Sequence, residues 1–139
     1  MTKEEKELVL KDLCARLPYG VHVEISWEYS KTDVYTSLEY YEFPNIDSLL
    51  NIFWDEKCIS IKPYLRPISS ITEEEERELN GLLPEVYDFT FRMDELLELI
   101  QTQKEIPFHY IDWFNAHHFD YRGLIEMGLA LKAPEDLYD

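Results

Sequence analysis

The hydrophobic period of this chain changes from that of a helix to that of a strand within three residues, and this switch constrains the fold more than any other feature. Up to Leu17 the spacing is helical: Thr2 and Glu5 form a capping box, and Leu10, Leu13, Cys14 and Leu17 recur at i, i+3, i+4 and i+7. Pro18, Tyr19 and Gly20 then break the helix, and Val21, Val23, Ile25 and Trp27 alternate with His22, Glu24, Ser26 and Glu28, the pattern of a half-buried strand. A second β-rich run covers Val34 to Phe43. After the break at Pro44 and Asn45, Ile52 to Trp54 and Cys58 to Ile61 read as two further strands. Lys31, Thr32 and Asp33 fit a hairpin loop, and Asp55, Glu56 and Lys57 a turn. Because parallel pairing needs longer crossovers, the expectation is an antiparallel four-stranded meander or small barrel behind an N-terminal helix.

The remainder reads as helical. Pro63 and Pro67 in IKPYLRPISS remove backbone donors, which predicts an extended connector at a sheet edge. Thr72 with Glu75 opens a helix whose first turn carries Glu73 to Glu76, where the helix dipole favours negative charge. Leu79, Leu82 and Leu83 continue its apolar face, with Gly81 inside it and Pro84 as a stop, while Val86 to Phe91 fits neither period. Met93, Leu96, Leu97 and Ile100 predict another helix, and Tyr110, Trp113, Phe114 and His117 a third that starts near Pro107. Gly123 and Gly128 bracket a last short helix on Leu124, Ile125 and Met127, and the tail after Pro134 is expected to fray. The fold class is therefore α+β: a helix plus small antiparallel β domain over residues 1–70, and an acidic helical C-terminal half over residues 71–139, packed together as one unit.

Charge narrows the functional classes. The 139 residues carry 29 acidic and 13 basic side chains, a net charge of −16, and residues 71–139 hold 17 of the acids against 5 bases. Such a field repels phosphate backbones and anionic lipid, so neither direct nucleic-acid binding nor membrane binding is expected. No apolar run approaches the roughly 18 residues of a membrane span, and MTKEEKELVL lacks the apolar stretch of a secretory signal, which predicts a cytoplasmic protein. Cys14 and Cys58 are too few for a disulfide framework, which fits a reducing compartment, and Cys14 sits on the apolar stripe as a small core residue.

The densest group of metal-ligating or acid/base side chains is His109, His117, His118 and Asp120, with Asp112 between them. At about 100° per residue His118 lies about 180° round the helix from His109, so these groups spread and do not converge on one face. His117 shares the aromatic stripe as a packed histidine, and His118 stands near the helix end, where it could meet terminal carbonyls. Arg66, Arg77, Arg92 and Arg122 are dispersed, and Arg122 beside Tyr121 is expected to clamp elements through a carboxylate. There is no Gly-x-Ser-x-Gly, and the four glycines cannot form a phosphate loop, so no motif supports catalysis and no cofactor is implied.

The aromatic residues concentrate in the β half. Tyr40 and Tyr41 are adjacent on a strand and point oppositely, so both cannot face one core. With Glu39 and Glu42 beside them, and with Trp54, they form a candidate contact surface for a partner bearing Arg or Lys, through cation–π and charge pairing.

The blocks IKPYLRPISSITEEE (61–75) and FNAHHFDYRGLIEMGLALKAPEDLY (114–138), about 40 positions together, resemble a group of short acidic proteins from Bacteroides-type gut bacteria, many carried by prophages and other mobile elements. The resemblance implies a small β-barrel-like N-terminal part joined to a helical tail, and it brings no catalytic residue or cofactor with it.

The sequence thus points to a non-enzymatic acidic interaction module that engages a basic protein partner, with mimicry of nucleic acid by its carboxylates as one version. Two rival expectations stand beside it. One is a small metal-dependent enzyme or binding protein using His109, His117, His118 and Asp120; the other is a structural subunit that oligomerises through its sheet.

Overall fold

The computed structural model describes residues 1–81 and 108–138, without the side chains of Asn80, Phe108 and His109. The expectations for Leu82, Leu83, Pro84, Val86 to Phe91 and the helix on Met93 to Ile100 lie outside the described residues.

Helix α1 (Lys3–Arg16) starts as its capping box requires: Thr2 Oγ1 accepts from the Glu5 amide at 3.1 Å and Glu5 Oε1 accepts from the Thr2 amide at 2.8 Å. A short 3-10 turn, Leu17–Tyr19, leads to Gly20 at φ +82°, where any Cβ would collide with the Tyr40 phenol. Strand β1 (Val21–Glu28) follows with the expected alternation, and Val21, Val23 and Ile25 are fully buried, each stabilising the fold by about 1.5–3 kcal/mol. The hairpin loop closes where Asp33 O accepts from the Tyr29 and Ser30 amides, and β2 (Val34–Tyr41) returns antiparallel.

The next element departs from expectation. Ile52 to Trp54 is not a strand but the end of helix α2 (Ile46–Phe53), because Ile46, Leu49, Leu50 and Phe53 form a helical stripe that sends Leu49 and Phe53 into the core. The turn at Asp55 to Lys57 forms, with Asp55 Oδ1 accepting from the Lys57 amide. Strand β3 (Cys58–Leu65) runs through the first part of the predicted connector. Pro63 lies opposite Val23, one residue before β3 begins pairing on its other side.

The sheet order is β2-β1-β3-β4, with β4 (Leu131–Lys132) parallel to β3, so the sheet is mixed and neither a purely antiparallel meander nor a barrel. The crossover that this parallel pairing requires is the second half of the chain itself. It leaves β3 at Leu65, includes α3 (Glu73–Asn80) and α4 (Phe108–Ala116), and returns at Leu131. Leu124 to Met127 form turns instead of a helix, with Leu124 in the core.

Two apolar clusters hold these layers. The larger packs Val9, Leu13 and Leu17 onto one sheet face together with Leu49, Phe53, Leu124 and Leu129. The smaller joins Ile68 and Leu79 to Trp113, Phe114, Phe119 and Tyr121. Between them lies a pair the sequence did not announce: Asp12 and Arg16, both fully buried, bonded Nε to Oδ2 at 2.8 Å. Arg16 Nη2 also donates to Phe119 O at 2.8 Å, and Arg122 Nε donates to Asp12 Oδ1 at 3.1 Å, which is the expected clamp made to α1.

Candidate functional site

Register places His22, Glu24, Ser26 and Glu28 of β1 on the same face as Tyr40, Leu38, Thr36 and Val34 of β2, and Lys62 and Ser60 of β3 opposite Glu24 and Ser26. None of these residues is fully buried, since α1 and α2 cover the other face. Strand β2 is terminal in the sheet, so its outer edge has no partner among the described strands. Seven of its eight residues escape the core, with Val34 and Leu38 each 60% exposed. Trp27 Nε1 donates to Ser37 Oγ at 3.1 Å, a side-chain tie added to the antiparallel ladder between β1 and β2.

Of the sequence-predicted contact residues, Tyr40, Glu39 and Glu42 are exposed on or beside this edge. Tyr41 is instead buried: it is 7% exposed and belongs to the core, because its register opposite Val21 turns it under α1. Trp54 is 64% exposed but stands at the C-cap of α2, a separate element. Val34, Tyr35 and Leu38, which the sequence does not single out, are exposed on the same strand. The strand's position at the sheet edge, which alternation alone does not reveal, is what exposes them.

The His and Asp cluster is dispersed. His117 stacks on Trp113, ring centroids 4.1 Å apart, and turns its Nδ1 to Glu75 (3.4 Å) and its Nε2 to Glu78 (3.6 Å), both on α3. His118 turns elsewhere. It takes φ +65° at the end of α4, and its ring stacks on that of Tyr138, centroids 3.6 Å apart and planes nearly parallel. It therefore faces the tail instead of capping terminal carbonyls. Asp120 is a turn cap, each carboxylate oxygen accepting one amide at 2.9 Å, from Leu124 and from Ile125. The His109 side chain lies outside the described residues. Among the described residues no three His, Cys, Asp or Glu side chains gather as a metal site.

The imidazoles instead border a cleft of about 850 Å³. Its walls include Arg66, Glu75, His117, His118, Lys132 and Tyr138. Arg66 grips Glu75 with two bonds, 2.7 and 2.8 Å, and this holds the Glu75 carboxyl at about 2, well below its usual range. Burial, reinforced by the positive charges of Arg16 and Arg66, pushes His118 down to about 4, so the ring is neutral at pH 7. The tail after Pro134 does not fray. The Tyr138 hydroxyl donates to Tyr64 O at 2.6 Å and accepts from the His22 amide at 3.0 Å, and burial raises it to about 12. On its far side a smaller hollow of about 370 Å³, lined by His22 and Tyr40, opens on the sheet face.

No helix among the described residues is long and apolar enough to cross a membrane. No protein-family model, curated protein or solved structure matches the chain.

Proposed function

We propose that this protein is a non-enzymatic interaction module whose β2 edge and adjoining sheet face receive an extended, basic segment of a partner protein. The observation that carries the reading is an eight-residue terminal strand, unpaired along its outer edge among the described residues, that exposes Val34, Tyr35, Leu38 and Tyr40 amid Glu24, Glu28, Glu39 and Glu42. An exposed apolar edge is a template for strand pairing that soluble proteins ordinarily blunt with lysine, proline or a covering element. Here the acidic neighbours do not block the edge. They select the charge of what may pair with it, since main-chain bonds supply affinity while side chains alternating along an added strand supply specificity. Rings beside carboxylates suit arginine and lysine through cation–π and ionic contact.

The test is a fluorescence-anisotropy titration with a synthetic extended peptide carrying Arg or Lys at alternate positions among Val and Thr. Binding should weaken at least tenfold, about 1.4 kcal/mol, between about 0.1 M and about 1 M salt, as the Debye length falls from about 10 Å to about 3 Å. Leu38→Lys, at an exposed position that does not support the core, should abolish it. Salt-independent binding, or binding untouched by Leu38→Lys, would overturn the proposal.

A further inference from the structure

We propose that the hollow of about 370 Å³ at the end of β2 seats the ammonium of one lysine from the segment that pairs with that strand, an inference that rests on the docking reading above and gives it a register. Among the described residues its lining is Tyr19, His22, Tyr40, His118, Leu137 and Tyr138: five aromatic rings and one aliphatic side chain, with no lysine, arginine or carboxylate. Tyr19 and Tyr40 are both exposed, so the rings stand open to a ligand. Selectivity in such a lining belongs to the ring faces, whose quadrupoles attract a cation where no fixed charge does. Burial lowers His22 from 6.5 and His118 to about 4, so neither imidazole repels a cation at pH 7.

The rings are held in place before any ligand arrives. Tyr40 lies over Gly20, whose missing Cβ leaves the room that the phenol fills, and its ring centroid is 4.7 Å from that of His22 at an interplanar angle of 53°. Tyr138 meets His22 at 5.2 Å and 60°, and its hydroxyl is fixed by the Tyr64 carbonyl and the His22 amide. Both phenols are thus inclined to the one imidazole, and little ordering remains to oppose binding. Register decides which side chain reaches them. Tyr40 stands opposite His22 and shares its face with Leu38 and Thr36, so a residue that pairs with Tyr40 from an added strand projects on that face beside the phenol. Lysine's four-carbon stem can lie along the Tyr40 ring while its head extends into the hollow. The net charge of −16 supplies the field that draws it in. Glu24 shares this face two residues along β1, and Lys62 opposes it from β3, on the side away from the incoming strand.

The experiment repeats the anisotropy titration with the lysine form of the Val and Thr peptide, each lysine in turn replaced by norleucine, which keeps the four-carbon stem and removes the charge. One position should lose about fivefold or more in affinity and the others less. In Tyr40→Leu and in Tyr19→Leu that position should lose its excess. Taking the ratio of lysine to norleucine within each variant cancels whatever the substitution does to the fold or to strand pairing. Equal losses at every position would mean that only the overall field is sensed, and an excess that survives in both variants would put the lysine elsewhere. Either result overturns the seat while strand pairing by β2 stands. Absence of binding by every peptide overturns the docking reading and this inference together.

Discussion

At His118 the backbone adopts a conformation that costs an L residue about 1–2 kcal/mol and costs glycine almost nothing. His118→Gly and His118→Ala both remove the ring and its stack on Tyr138, so the difference between the two variants isolates the backbone. The glycine variant should be the more stable by about 1 kcal/mol in urea denaturation. The same residue fixes an acid transition. Its ordinary value is 6.5 and its folded value about 4, so between these pH values the unfolded chain binds the extra proton, and stability falls as pH drops through that window. Glu75 acts lower down: its carboxyl is depressed from 4.5 to about 2, and the stabilisation from Arg66 is lost as pH falls through that range. Urea midpoints measured from pH 7 to pH 3 should decline in two stages, the first missing from His118→Gly and the second reduced in Glu75→Gln. The buried Asp12 makes a third residue-scale case. Asp12→Ala leaves Arg16 fully buried without its carboxylate and should cost about 3–5 kcal/mol by the same measurement. Its spacing to Arg16, four residues apart on a helix, was in plain view. What the spacing alone could not show is that Phe119 and Arg122, from the far end of the chain, would close over the pair.

The elements differ in how far their own residues determine them. Helix α1 and strand β1 were legible because cap, period and stop signal agree over a long stretch, and α3 because Thr72 and Glu75 repeat the same capping box. Helix α2 was misread from a three-residue window at Ile52 to Trp54, although the wider stripe Ile46, Leu49, Leu50 and Phe53 carries the helical spacing. The parallel partner β4 is two residues long, too short to have a period at all. The tail was beyond reach for another reason: Tyr138 is held by groups 74 and 116 residues away, which no local pattern encodes. As an element it is a strap whose phenol bridges β3 and β1. Tyr138→Phe keeps the ring but leaves the Tyr64 carbonyl and the His22 amide unmatched, and should destabilise the protein by about 1–3 kcal/mol. Deprotonation offers a second route to the same loss. The phenol is raised from 10 to about 12, so the strap's stabilisation is fully present below pH 10 and disappears as pH rises through 12, a change that stopped-flow pH jumps with Tyr138 absorbance would follow.

For the molecule as a whole the exposed strand edge raises the question of whether it pairs with a second copy of itself. Self-pairing would bring together two chains of net charge −16, with Glu39 and Glu42 near the join, and at low ionic strength that repulsion opposes the gain from burying Leu38 and Tyr40. Salt weakens the repulsion and leaves the apolar contact intact, because a Debye length of about 3 Å at about 1 M screens all but adjacent charges. The chain should therefore sediment as a monomer at about 0.05 M salt and associate as salt rises, the reverse of its expected behaviour with a basic peptide. Leu38→Lys should hold it monomeric throughout, since a charge on the edge blocks pairing whatever the screening. A dimer already present at low salt and lost on Leu38→Lys would instead favour the structural subunit, with the sheet edge serving as its own partner. The two readings share one surface and differ in whether the chain is already paired at low salt, so a sedimentation series across salt concentrations separates a docking module for basic chains from a self-assembling one.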